Sequence, residues 1–169
     1  PDAICLQEVG EWGGDGATAG FGNHPSNAVN QILERISNKQ YHVFMDWTHY
    51  GWQVWKEGTA LLTKQAPLYQ ESRYISKKSD NDLRYWKSRK ATHVQIDTPN
   101  SGKIKLFSTH TGWWDDKDEP FKFQFQRLAQ WANETPNVET TLLCGDFNQP
   151  ASTVGYQYIF NNSDYQDLY

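Results

Sequence analysis

A carboxylate and a carboxamide, Asp146 and Asn148, follow the apolar run Leu142-Leu143-Cys144 and a glycine, Gly145. A carboxylate so placed can take a proton from water, and an amide can steady that water or a developing charge. In an extended chain the two side chains face one side and Phe147 the other. Two more apolar runs end in groups with similar chemistry. Ala3-Ile4-Cys5-Leu6 leads into Gln7-Glu8, and Ser108-Thr109 leads into His110. If the three strands are neighbours, Glu8, His110, Asp146 and Asn148 converge at one rim, where open sheets bind ligands. Singly they say less. A glutamate after a strand is usually solvated, a histidine there usually forms an ordinary hydrogen bond, and Asp-x-Asn is a common turn.

The elements that must position these groups alternate along the chain. Val29, Ile32, Leu33 and Ile36 repeat at helical spacing, which predicts a helix capped by Ser26 and running to about Asn38. Tyr41 to Trp47 and Ala60-Leu61-Leu62 read as strands. Lys90 to Asp97 and Ile104 to Thr109 read as a strand pair joined by the turn Thr98-Pro99-Asn100-Ser101-Gly102. Phe121, Phe125, Leu128 and Ala132 mark a second helix after Pro120, and Thr140 to Cys144 a further strand. The glycine-rich residues 10–23 form a loop without periodicity, and residues 65–90 are polar and irregular. Two helices alternating with strands give an α/β (α+β) class with layered sheets.

The length, 169 residues, fits a single domain over 1–169. No apolar run approaches the roughly 20 residues that cross a bilayer, so no membrane partner is expected. The two cysteines, Cys5 and Cys144, lie in apolar runs without a Cys/His cluster. They read as reduced core thiols, suited to a cytoplasmic enzyme. A net charge of -4 argues against a protein that coats nucleic acid. The load of 8 tryptophans serves either core packing or a surface that stacks on sugars or bases.

The segments CLQEV, EGTALLTK, SRKA, FSTHTGWW and CGDFNQP, in that order, resemble the endonuclease/exonuclease/phosphatase superfamily. The resemblance implies a DNase-like fold, a layered β-sandwich of two mixed sheets flanked by helices. It also implies hydrolysis of phosphate esters with a divalent ion, Mg2+ or alternatively Mn2+. By the same resemblance Glu8 is the metal ligand, with Gln7 beside it. Asp146 orients or deprotonates the attacking water and Asn148 steadies it. His110 and Arg89 hold phosphate oxygens. Trp113 and Trp114, close after His110, are expected to border the phosphate site and bind substrate. The family's earlier asparagine strand and later Asp-His pair have no counterpart here. The chain is therefore expected to be a fragment, incomplete at both ends and inactive or nearly so alone.

The stretches YGWQVWKEGTALLTK, YWKSRKA and STHTGWWDDKDEPF look most like bacterial sugar-phosphate phosphatases of the maltose 6'-phosphate phosphatase type. The expected partner is then a small phosphate ester, a sugar phosphate. The runner-up is a nuclease or other phosphodiesterase. Its support is one basic stretch: Arg73, Lys77, Lys78, Arg84, Lys87, Arg89 and Lys90. Aromatic richness leaves a third reading, a non-catalytic carbohydrate-binding module.

Overall fold

Alternation along one central strand sets the layers. In Ala60-Leu61-Leu62, successive side chains point to opposite faces of a sheet. Ala60 and Leu62 pack with Val9, Val29 and Trp47, whereas Leu61 packs with Val94, Ile96 and Leu106. The computed structural model describes residues 1–14, 22, 24–36, 40–79, 83–134 and 138–168. In chain order its elements are β1 (Ala3–Trp12), α1 (Ala28–Arg35), β2 (His42–Gly51), β3 (Trp55–Thr63), β4 (Tyr69–Tyr74), β5 (Lys90–Thr98), β6 (Gly102–His110), α2 (Phe121–Asn133), β7 (Thr140–Asp146) and α3 (Val154–Asn161).

One sheet has the order β1-β3-β2 and the other β4-β5-β6-β7. The two stack through Leu61, Val94, Ile96 and Leu106. The first sheet carries α1 on its outer face through Val29, and the second carries α2 through Leu128, Trp131 and Ala132. Helix, sheet, sheet and helix thus form the expected layered sandwich. Mixed pairing is confined to the second sheet, where β6 and β7 run parallel and the other pairs are antiparallel. The described pairs of the first sheet are all antiparallel. Among the described residues, no helix is long and apolar enough to cross a membrane.

Several local expectations change. The cap of α1 is Asn27, whose side chain accepts from Asn30 N, while Ser26 Oγ accepts from Trp12 N. The helix stops at Arg35, and residues 37–39 lie outside the described residues. The irregular stretch 65–90 contains β4, an edge strand whose polar sequence hides its period. A third helix, α3, begins at the cap Thr153. Of the expected loop 10–23, residues 10–12 extend β1, and residues 15–21 and 23 lie outside the described residues.

The core under α2 includes a histidine. His93 is 2% exposed, lies stacked 4.4 Å from the Phe107 ring and meets Trp131 edge-on. Neither ring nitrogen has a hydrogen-bond partner. Burial, with Lys105 nearby, pushes its pKa down to about 4. Unfolded, it titrates near 6.5. As pH falls, the unfolded chain therefore takes up this proton first, and stability is lost between about 6.5 and 4, by on the order of 3 kcal/mol. Urea unfolding of the wild type and His93→Phe at pH 7 and pH 4.5 checks this. The variant should lose markedly less stability across the interval.

Candidate active site at the junction of the two sheets

The site is built on two bulges that face one glycine. A Cβ at Gly58 in β3 would run into the Asp46 carbonyl oxygen of β2. Opposite it, the β1 register passes from Leu6↔Ala60 to Val9↔Gly58, and the β2 register from Trp47↔Gly58 to His49↔Glu57. Each outer strand thus carries one extra residue there, and a bulge re-aims the side chains around it. On β1 the bulge places Glu8 in the left-handed region, φ 52, with its side chain 66% exposed. The expectation that the strand ends at Gln7-Glu8 is corrected: β1 continues to Trp12, and Glu8 interrupts it. On β2 the bulge turns His49 toward Glu57. His49 Nε2 lies 3.3 Å from Glu57 Oε1, and Nδ1 lies 3.2 Å from the Ser88 carbonyl. The hydrogen bond from His49 holds the Glu57 carboxyl below its ordinary pKa.

The second sheet supplies the facing groups. Gly145 in β7 pairs with Thr109 in β6, so close that a Cβ at Gly145 would overlap the Thr109 carbonyl oxygen. At φ 154 this position also suits glycine best. The next pair in register is His110↔Asp146. His110 Nε2 stands 4.0 Å from Asp146 Oδ2 and 3.9 Å from Glu8 Oε1. Burial first, and the Arg89 charge second, lower the His110 pKa, so the ring is neutral at pH 7.

Asp146 and Asn148 reach the same cleft by a different route from the expected extended chain. Asn148 adopts φ 51, and its backbone N–H donates to Asp146 Oδ1 at 2.8 Å. This local turn aims the pair. Asn148 Nδ2 donates to the Thr111 carbonyl at 2.8 Å, which locks the amide. Phe147 packs on the core beneath α2, as the sequence suggested.

Glu8, Arg89, His110, Trp113, Asp146 and Asn148 share one cleft of about 480 Å³. Arg89 is 5% exposed, with Nη1 donating to the carbonyls of Trp86 and Ser88 and with Nε lacking a hydrogen-bond partner. Two expected residues are not among the cleft lining. Gln7 instead spans the sheets, donating from Nε2 to Ser108 Oγ at 2.9 Å. Trp114 packs against Tyr158 and Phe121, with centroids 5.6 and 6.3 Å away. Sequence reasoning missed His49 and Glu57, which line the cleft too. The available signal was a carboxylate beside a glycine, Glu57-Gly58, at the mouth of an otherwise apolar strand.

Carboxylates, a neutral imidazole and a buried guanidinium on one cleft suit an anionic substrate and water activation. No group of three or more His, Cys, Asp or Glu side chains gathers as a metal cage among the described residues. The exposed Glu8 carboxylate nevertheless fits a hard divalent ion of the Mg2+ kind, which keeps several waters and needs only one or two protein carboxylates.

A family model described as the Endonuclease/Exonuclease/phosphatase family matches residues 1–165. An endonuclease/exonuclease/phosphatase family protein from Leptotrichia buccalis is 22% identical with a TM-score of 0.81, covering 95% of this chain and 60% of that one. The human Nocturnin catalytic domain with bound sulfate is 20% identical with a TM-score of 0.66, covering 96% and 57%. ANGEL2, a 2',3'-cyclic phosphatase, is 16% identical with a TM-score of 0.60, covering 94% and 42%. The chain thus spans 60% or less of these solved structures. At such identities they share its fold. No curated protein matches the sequence.

Ser108, 0% exposed, is the joint of the site, because its hydroxyl accepts from Gln7 Nε2 and donates to the Leu6 carbonyl at 3.0 Å. Ser108→Ala strips both partners and should cost about 1–3 kcal/mol, read from the urea midpoint at unchanged slope. Ser108→Thr, which keeps a hydroxyl, should lose less.

Proposed function

Because the chain belongs to the endonuclease/exonuclease/phosphatase family, we propose that its site is that of a divalent-metal-dependent phosphoester hydrolase acting on a small phosphorylated sugar. The observation that carries this reading is the meeting of Glu8, His110, Asp146 and Asn148 on one cleft with Arg89 beneath. Similarity to a 2',3'-cyclic phosphatase supports phosphoester hydrolysis as the reaction class. The free thiols of Cys5 and Cys144 suit a reducing, cytoplasmic setting.

Asp146 is the base in this mechanism. Its Oδ1 is committed to the Asn148 N–H, which leaves Oδ2, the oxygen facing His110, to take a proton from water. The Asn148 amide, anchored through Nδ2, keeps its oxygen for that same water. Water attacks phosphorus in line and the sugar alkoxide departs, with no covalent intermediate. Neutral His110 donates a hydrogen bond to a non-bridging oxygen, and buried Arg89 adds positive potential from below. A divalent ion, held by Glu8, would supply Lewis-acid stabilisation of the phosphate charge.

The nuclease reading requires a basic track for a polyanion. Three cations of the basic stretch are internally neutralised. Arg73 pairs with Glu71 and Glu134, Lys87 with Asp116 and Asp118, and Lys90 with Asp46. That commitment favours a small ester.

The test is phosphate release by the intact protein from sugar phosphates, inositol phosphates and DNA, with and without Mg2+. Release from a sugar phosphate that requires Mg2+ is expected, and Asp146→Asn should lower turnover by about 10²–10⁴-fold. Salt-sensitive DNA cleavage without sugar-phosphate turnover would replace this reading with the nuclease. Sugar binding without any hydrolysis would replace it with the binding module.

A further inference from the structure

We propose that Trp52, Trp86 and Trp113 form an aromatic rim that stacks on a pyranose ring and so selects the leaving group. The proposal rests on the phosphoester-hydrolase reading of the cleft and assigns its specificity.

Three tryptophans from three separate segments border the cleft that holds Glu8, His110 and Asp146. They are 91%, 52% and 50% exposed for Trp52, Trp86 and Trp113, more than any other tryptophan among the exposed hydrophobics of the described residues. Apolar rings left in water cost free energy, and a cluster at one rim marks a contact surface rather than scatter.

Trp52 is the most telling of the three. It sits at the tip of the β2–β3 hairpin, in a turn closed by Val54 N donating to the Gly51 carbonyl at 3.2 Å. Both central residues, Trp52 at φ 51 and Gln53 at φ 64, occupy the left-handed region. Turns of this form favour Asn-Gly, because a Cβ is crowded there. A bulky ring accepts that crowding here and still reaches no ring or hydrogen-bond partner among the described residues. The side chain therefore gains nothing from the fold.

The other two are held by their backbones. The Trp86 carbonyl accepts from Arg89 Nη1, and the Lys87 ammonium lies 5.5 Å from the Trp86 ring. The Trp113 carbonyl accepts from the backbone N–H groups of Asp116 and Phe121. Lys87 Nζ meets Asp116 and Asp118 at 2.8 Å each, tying the Trp86 segment to the Trp113 segment. The segments that carry these two rings are thus held in place before any ligand arrives, which lowers the ordering cost of binding.

The lining also chooses the ring type. A pyranose presents an apolar C–H face to an indole and hydroxyl donors at its edge. The cleft meets that edge with an acceptor, the Glu57 carboxylate, whose Oε1 faces His49 and whose Oε2 is left for a hydroxyl. A nucleobase edge mixes donors with acceptors, so an acceptor alone matches it less fully than it matches a row of hydroxyls.

Two measurements on the intact protein separate the rim from the hydrolase. In the first, maltose is titrated against intrinsic tryptophan fluorescence. Saturable binding is expected, weakened about threefold to tenfold in Trp52→Ala and partly restored in Trp52→Phe. In the second, kcat/KM is compared for glucose 6-phosphate and glycerol 3-phosphate. Trp52→Ala and Trp86→Ala should lower the sugar-to-glycerol ratio by a similar factor, through KM. Circular dichroism establishes that each variant is folded. An unchanged ratio together with unchanged maltose binding overturns the rim and leaves the hydrolase intact. Maltose binding lost in the variants, with no ester hydrolysed by any form, upholds the rim and removes the hydrolase. Adenosine monophosphate binding that depends on Trp52 while maltose binding does not would overturn the pyranose assignment.

Discussion

One buried hydroxyl holds the two halves of the site in register. Ser108 belongs to the second sheet, yet it bonds both the Leu6 carbonyl and the Gln7 amide of the first. Those partners immediately precede Glu8, and Ser108 lies two residues before His110. The hydroxyl therefore sets the spacing between an exposed carboxylate and a half-buried imidazole. Other cross-sheet polar links sit near it: Thr59 with Thr92 at 3.2 Å, and Asp46 with Lys90 at 2.7 Å. Away from the site, the sheets are joined by apolar packing around Leu61, Val94, Ile96 and Leu106. Apolar packing is non-directional and tolerates small slides. Hydrogen bonds are directional and do not. The polar seam lies where the alignment of side chains matters.

The glycines complete that alignment. Gly58 and Gly145 each permit a backbone approach that any Cβ would block. One lets two bulges face each other across β3; the other lets β7 close on Thr109. The geometry of the cleft is thus fixed by backbone contacts on both sides, and the side chains inherit it.

Much of this was legible in the residues. Alternation exposed the central strands, and 3.6-residue spacing exposed α1 and α2. The polar ends of three apolar runs pointed to Glu8, His110, Asp146 and Asn148, which the fold does gather. What stayed hidden has physical reasons. β4 is an edge strand in which four polar residues, Gln70 to Arg73, stand between two tyrosines, so no apolar period shows. The helix α3 is short, with one fully buried position, Gly155. A bulge leaves no pattern, so Glu8 looked like the end of a strand rather than a break within it. His49 fell past the expected end of one strand and Glu57 before the start of the next, and only the bulges turn them together. Trp113 and Trp114 are adjacent and chemically alike; only packing sends one to the rim and the other against Tyr158.

The clamp at Lys87 gives the cleft two unlike parts. Its floor rests on Ser108 and Gly58, both buried. Its walls are linked through the Lys87 ammonium to Asp116, 10% exposed, and to Asp118, which at 65% exposed is the surface arm of the clamp. Dissolved ions weaken such surface pairs and leave buried contacts almost untouched. Ionic strength is therefore a dial on the mouth: it adjusts how firmly the tryptophan-bearing segments are tied together while the chemistry beneath keeps its spacing.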